Sequence, residues 1–171
     1  MAWRSFFPWM GPAFGRTFAG LSTLFLPGGL KAPGTWGSAA GGAFAYFALS
    51  GAPWWAYAAV SALLVYFSVG VCDIGERFFG QKDPGRINFD EFAAMPVCYF
   101  GIFCGPTPPG PLWAWAVAGF VLFRFFDILK PLGISRIQTL DGGLGCVLDD
   151  AAAAAVSCAV LNAAAFAVSS F

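Results

Sequence analysis

Histidine is absent from this 171-residue chain. Without an imidazole, Ser/His hydrolases, Cys/His proteases, phosphohistidine chemistry and most catalytic zinc sites are excluded, so acid–base or metal work falls to carboxylates. Charge is scarce as well: charged residues make up 11% of the chain, hydrophobic residues 58% and aromatics 18%. Soluble domains carry roughly 25% charged residues, so this surface must be hidden in lipid or in partners. Nine basic residues balance nine acidic ones with no basic run, which removes the electrostatic footprint of a nucleic-acid binder. The five cysteines (72, 98, 104, 146 and 158) show no CxxC spacing and read as small buried hydrophobes. Pro8, Gly11, Pro12 and Arg16 break the apolar start before a cleavable signal core can form, so the N-terminus is expected to stay on the chain.

The positions of the charges organise the rest. None occurs between Lys31 and Asp73, between Glu91 and Arg124, or after Asp150. A membrane-crossing helix needs about 20 apolar residues. The first gap holds two such limbs joined at Ser50, Gly51, Ala52 and Pro53, the second holds two shorter limbs around a Gly/Pro-rich break at Gly105–Pro111, and the third is one terminal helix. The short limbs of the second gap must extend into charged sequence or enter the bilayer only partway. Two limbs per gap return the chain to the side it left, so all charges share one face, cytoplasmic by the positive-inside rule. Ala, Leu and Phe without strand-like alternation make the limbs helical. The expectation is an all-α, compact helical bundle forming one domain over 1–171, with multi-pass membrane helices arranged as hairpins and a C-terminal helix. Residues 1–30 form an N-terminal segment in which Ala13–Leu26 is expected to lie in the interface with Arg16 toward water. The Ala-rich stretch Ala151–Ala155 suits close packing on a neighbouring helix.

Four charged segments carry the candidate chemistry. In KAPGTWGS (Lys31–Ser38), Pro33 and Gly34 set a turn and Ser38 reads as an N-cap, with Lys31, Thr35 and Ser38 placed around a potential phosphate site at a helix start. Taken alone, a turn and a cap explain that segment. In DPGRINFDEF, Asn88 and Glu91 resemble a capping box, and Asp90 and Glu91 fall in the first turn. Two adjacent carboxylates at the lip of an uncharged run exceed what capping requires. In LFRFFDILKP, Arg124, Asp127 and Lys130 recur every three residues along one helix face. An internally neutralised ion-pair ladder is the plain reading, but charges set so deeply in apolar sequence point to function. In LDGGLGCVLDD, Asp149 reads as an N-cap and Asp150 as a first-turn acid, with Gly142, Gly143 and Gly145 allowing close backbone approach. Converging carboxylates repel unless a cation intervenes, and oxygen-only donors suit Mg²⁺ shared with a phosphate. The residues themselves therefore point to metal-assisted phosphate chemistry at a membrane surface.

In this order, these four motifs resemble the phosphatidylglycerophosphatase A family, from about Lys31 to Asp150. The resemblance implies a Mg²⁺-dependent lipid phosphatase of the bacterial inner membrane that hydrolyses phosphatidylglycerophosphate to phosphatidylglycerol and inorganic phosphate. By motif position it implies Asp90, Glu91, Asp127, Asp149 and Asp150 as metal-binding or catalytic acids. Arg124 and Lys130 become phosphate ligands, with Thr35, Ser38 and Lys31 in support. The chain departs from the pattern at Asp141, where relatives often carry histidine, at Gly133, where proline is common, and at Asn88, where an aliphatic residue is usual. The DxDx[TV] pattern of haloacid-type phosphatases, the CxxxxxR of cysteine phosphatases and the DGxxAR of CDP-alcohol phosphotransferases are all missing. The alternative from another class is a non-enzymatic small membrane transporter or assembly protein whose buried charges form an ion-pair network.

Overall fold

Proline and glycine punctuate the helices. The computed structural model describes residues 15–25, 31–130, 140 and 142–170. It comprises α1 (Gly15–Ser22), α2 (Pro33–Phe44, running on as a π-helical turn over Ala45–Leu49), α3 (Trp54–Phe79), α4 (Phe89–Cys98), α5 (Leu112–Leu129) and α6 (Gly143–Ser169). Pro33 opens α2 at its first position, where its missing N–H costs no hydrogen bond. Gly80 ends α3 in the left-handed conformation, Pro111 precedes α5, and Gly142 precedes α6. The described residues contain no strand, in agreement with the all-α expectation.

Three helices, α3, α5 and α6, are long and apolar enough to cross a membrane. Their outward faces carry Leu63, Tyr66, Val117, Val121, Val160 and Phe166, all exposed. The bundle is thus apolar on its outward faces and encloses acidic side chains such as Asp90, Asp149 and Asp150 at one end. Trp54 and Trp55 open α3 and Trp113 opens α5, all exposed, as in the aromatic belts that sit at a membrane–water boundary. The α2–α3 turn and the segment after α4 meet at this uncharged end, where Gly51 N–H donates to Phe103 O at 2.8 Å.

The short helix α4 lies at the centre, packed against α2, α3 and α6. Its ten residues span only about 15 Å at 1.5 Å per residue, so this limb of the second gap is too short to cross a bilayer. The other limb, α5, instead continues through Arg124 and Asp127. Around α4 the main core gathers Tyr57, Met95, Tyr99, Phe123, Ala153, Ala154 and Leu161. Buried polar tips are satisfied there: Tyr57 Oη donates to Pro96 O at 3.0 Å and Tyr99 Oη to Ala116 O at 2.6 Å. The expected close packing of the alanine stretch is present at Ala153 and Ala154, whereas Ala155 is exposed.

The α2–α4 contact depends on glycine. Cβ atoms added to Gly37 and Gly41 would strike the backbone carbonyls of Asn88 and Phe92, one turn apart on α4. This is the small-xxx-small pattern by which membrane helices bring their backbones together. Pro96 has no N–H for the Phe92 carbonyl, the group that Gly41 covers. The expected interfacial helix is shorter than read from sequence: α1 keeps Arg16 exposed but docks on α3, with Phe18 against the Phe67 ring and Ser22 O accepting Asn88 N–H at 2.9 Å. The outer parts of the expected helix, Ala13, Phe14 and Leu26, lie outside the described residues.

Replacing Gly41 with alanine should destabilise the detergent-solubilised protein by about 1–3 kcal/mol, because backbone rather than a movable side chain blocks the added methyl. The matched change Gly85→Ala, with nothing within 4 Å, should be nearly neutral. Thermal unfolding of the two variants checks the pair, and equal losses would contradict this account of the contact.

Candidate active site

At the charged end, the tips of four helices meet. The first turn of α4 presents Asp90 and Glu91, the last turns of α5 present Arg124 and Asp127, and the second turn of α6 presents Asp149 and Asp150. Asp90, Asp149 and Asp150 are 5%, 2% and 4% exposed, burial that ionised carboxylates tolerate only with partners. Donor oxygens of Asp90, Glu91 and Asp150 lie within 4.8 Å of one another.

Two cations face these acids. Arg124 Nη1 is 2.7 Å from Asp127 Oδ2, 3.5 Å from Glu91 Oε1 and 3.5 Å from Ser38 Oγ, so one guanidinium ties α5 to α4 and α2. Lys130 Nζ pairs with Asp149 Oδ2 across to α6. The expected ladder is therefore only half present: Arg124 and Asp127 pair within α5, while Lys130 reaches another helix. Lys130 caps α5 in the left-handed region at φ 42°, a geometry unfavourable for a side-chain-bearing residue. Five acids around two cations leave a negative surplus if all ionise.

The groups on α4 and at the end of α5 respond accordingly. Burial pushes the Asp90 carboxyl above its ordinary value, opposed by its hydrogen bonds with Cys146 and Glu91. Burial and then the neighbouring Asp90 charge push Glu91 well above the usual carboxylate range, with Arg124 pulling the other way. For Lys130, burial disfavours the charge but is outweighed by the hydrogen bond and charge of Asp149, followed by Asp150 and Asp127, so its pKa is raised. Glu91 Oε2 is buried with no hydrogen-bond partner, an orphan acceptor beside two further carboxylates. Hard oxygen donors, a surplus of negative charge and an unsatisfied acceptor fit a divalent cation.

Several local readings are corrected by the helix boundaries. Ser38 is not an N-cap: α2 starts at Pro33, and Ser38 lies one turn further in, donating to Gly34 O at 2.8 Å. The cap position falls to Ala32, which offers no side-chain acceptor. A Cβ on Gly34 would collide with Glu91 Oε1 and come within 3.2 Å of Arg124 Nη1, so the bare backbone at the start of α2 packs directly on the site. Asn88 precedes α4 but makes no side-chain cap; its Nδ2 reaches Pro33 O at 3.4 Å and its Oδ1 is buried without a partner. Asp149 is not an N-cap and Asp150 not a first-turn acid, because the glycines join the helix and α6 starts at Gly143. A Cβ on Gly143 would strike Val69 O, so a glycine there lets α6 begin against α3. Thr35 sits half-buried in the first turn of α2 and Lys31 is exposed ahead of it; no described hydrogen bond links either to the acids. Asp141 and Gly133 lie outside the described residues.

Sequence reasoning passed over Glu76, Asp73 and Cys146. Glu76 is buried on α3, accepts Asp83 N–H on Oε1 at 2.8 Å, and borders a cavity of about 420 Å³ with Arg77, Gly80, Gln81 and Lys82. Asp73 is buried and pairs with Arg77 at 3.1 Å. Cys146 Sγ lies against Asp90 Oδ2. The available signal was position: Asp73 and Glu76 are the first acids after a long uncharged run and stand three residues apart, on one helix face.

Fold and site together define a helical enzyme of membrane-compatible surface, with clustered carboxylates and two cations placed for an anion. Residues 20–165 match the family described as Phosphatidylglycerophosphatase A. The chain is 35% identical to Phosphatidylglycerophosphatase A of Escherichia coli (strain K12), over 75% of this chain and 72% of that protein. It is 36% identical to Phosphatidylglycerophosphatase A of Haemophilus influenzae, over 72% of each. A Bacteroides thetaiotaomicron relative, 32% identical over 60% of this chain and 62% of its own length, carries a provisional name as a phosphatidylinositol-3-phosphatase. No solved structure gives a significant match. The chain belongs to the phosphatidylglycerophosphatase A family and is a phosphatase.

The raised carboxyls fix the sign of a pH effect. Unfolded Asp and Glu titrate near about 4, and a folded value above that adds stability at low pH that is lost as pH rises through the folded value. The metal-free protein should therefore lose thermal stability as pH is raised from about 4 toward neutrality. Glu91→Gln should flatten that slope, and differential scanning fluorimetry across pH reads both; a slope steeper in Glu91→Gln would contradict the assignment.

Proposed function

We propose that this protein is a Mg²⁺-dependent phosphatidylglycerophosphatase that acts at the cytoplasmic face of a bacterial inner membrane in phosphatidylglycerol synthesis. The observation that carries the reading is the trio Asp90, Glu91 and Asp150, with its orphan Glu91 oxygen, next to Arg124 and Lys130. Membership of the family supports the substrate. A lipid substrate also suits an apolar groove of about 550 Å³ lined by Val65, Val69, Val97 and Phe100, which runs to Ala151, the neighbour of Asp150. The three apolar helices support the membrane setting.

Asp90, Glu91 and Asp150 would hold the Mg²⁺, with Asp127 and Asp149 as further candidate ligands. When bound, the ion supplies Lewis-acid polarisation of phosphate oxygens and a lowered pKa for water. Arg124 and Lys130 offset the phosphate charge, and Ser38, beside Arg124, helps to orient that guanidinium; Thr35 and Lys31, at the start of α2, are the further candidate phosphate ligands. In-line attack of water forms the new P–O bond as the bond to the glycerol oxygen breaks. A carboxylate not engaged with the ion, Asp127 or Asp149, accepts the water proton, and the leaving oxygen takes up a proton in turn. Burial among apolar helices makes each of these charges count for more than it would in water.

Purified protein should release phosphate from phosphatidylglycerophosphate only with Mg²⁺, and EDTA should abolish the reaction. Asp150→Asn should remove activity with folding retained, and Arg124→Gln should lower kcat on the order of 100-fold. Full activity in EDTA would refute the metal role. Faster turnover of phosphatidylinositol 3-phosphate would move the substrate assignment, and a folded protein inert toward both lipids would favour an ion-pair scaffold.

A further inference from the structure

Asp90 belongs to two donor sets. One is the all-oxygen trio already described. The other is Cys72 on α3, Cys146 on α6 and Asp90 on α4, whose donor atoms also lie within 4.8 Å of one another and which are all buried. Cys146 Sγ also lies in hydrogen-bonding contact with Asp90 Oδ2. Asp83 Oδ1 stands 3.5 Å from Cys146 Sγ and offers a fourth donor. Three helices thus deliver two sulfurs and one carboxylate to one point, and the loop before α4 holds the Asp83 carboxylate beside Cys146.

We propose that Cys72, Cys146, Asp90 and Asp83 form a binding site for a thiophilic divalent cation of the zinc class, and that its occupation withdraws Asp90 from the oxygen trio and inhibits the enzyme. Sulfur donors select zinc and cadmium over magnesium, and two thiolates with two carboxylates make the four-coordinate shell that zinc favours. Binding releases the two thiol protons to solvent and changes no oxidation state. The inhibition rests on the phosphatase reading above, whereas the binding does not. A sequence view finds no such site, because Cys72, Asp83, Asp90 and Cys146 follow no zinc-motif spacing.

The test uses the purified full-length chain in detergent with Mg²⁺ present. Cadmium should give a thiolate charge-transfer absorption band in the wild type, and zinc should compete it away. Cys146→Ser and Cys72→Ser should each lose the band and weaken zinc binding at least ~100-fold, the upper end of the cost of losing even an outer-shell partner. Cys98→Ser, at the other end of α4, should keep both. Zinc should inhibit phosphate release by the wild type at concentrations that leave Cys146→Ser at its own zinc-free rate. Two single-cysteine variants are used so that misfolding of one leaves the other to decide. Zinc binding equal to wild type in both folded variants would overturn the site. Undiminished zinc inhibition in variants that no longer give the cadmium band would overturn the inhibition, since zinc would then be acting at the oxygen trio. A protein that binds cadmium through both cysteines but hydrolyses no lipid phosphate would leave the site standing and refute the phosphatase reading instead.

Discussion

Burying carboxylates inside an apolar bundle is the constraint on which the rest of this molecule turns. Asp90, Asp149 and Asp150 are almost fully enclosed, Glu91 and Asp127 nearly so, and among the described residues Arg124 and Lys130 are the cations paired with this cluster. A carboxylate taken from water into such surroundings either finds a cation or takes up a proton. The arrangement at the charged end follows from that choice. Arg124 is shared among three helices, Lys130 crosses from α5 to α6, and the oxygen trio is left short of positive charge.

That shortage also accounts for the architecture beneath it. The acids must converge from separate segments, so the helices that carry them must approach closely at one end, and small residues make this possible. Gly37 and Gly41 lay α2 on the carbonyls of α4, Gly34 brings the start of α2 onto Glu91, and Gly143 lets α6 begin against the α3 backbone. The short central helix α4 is the pivot. It is too brief to cross a bilayer, yet it is packed against three neighbours and sets Asp90 and Glu91 at its first turn. The long helices α3, α5 and α6 turn their large apolar side chains outward, so the same bundle that encloses charge presents lipid-compatible surface.

A single carboxylate sitting between an oxygen set and a sulfur set gives the site a dual character. Asp90 faces Glu91 and Asp150 on one side and Cys72 and Cys146 on the other. The two sets differ in the softness of their donors, which is what discriminates magnesium from zinc-class ions. Chemistry that draws on Asp90 is open to control by whatever ion the second ligand set claims.

The amino-acid order determined the helical class, the hairpin layout and the residue types of the site, because each is written in local composition: uncharged runs of helix length, Gly/Pro breaks, and acids clustered at the ends of those runs. The turn at Ser50–Pro53 and the break before Leu112 were readable for that reason. Caps were misread at Ser38 and Asp149, since a cap depends on where a helix begins, and proline or glycine a few residues upstream decided that instead; Asn88 does stand at the cap position of α4, but its side chain turns to Pro33 O on α2. Pairing was beyond the sequence altogether. Lys130 looks like the partner of Asp127 three residues away, but the left-handed end of α5 and the approach of α6 give it Asp149. Whether Asp90 meets Glu91 and Asp150, or Cys72 and Cys146, is a matter of distances across three helices, and only their packing fixes those.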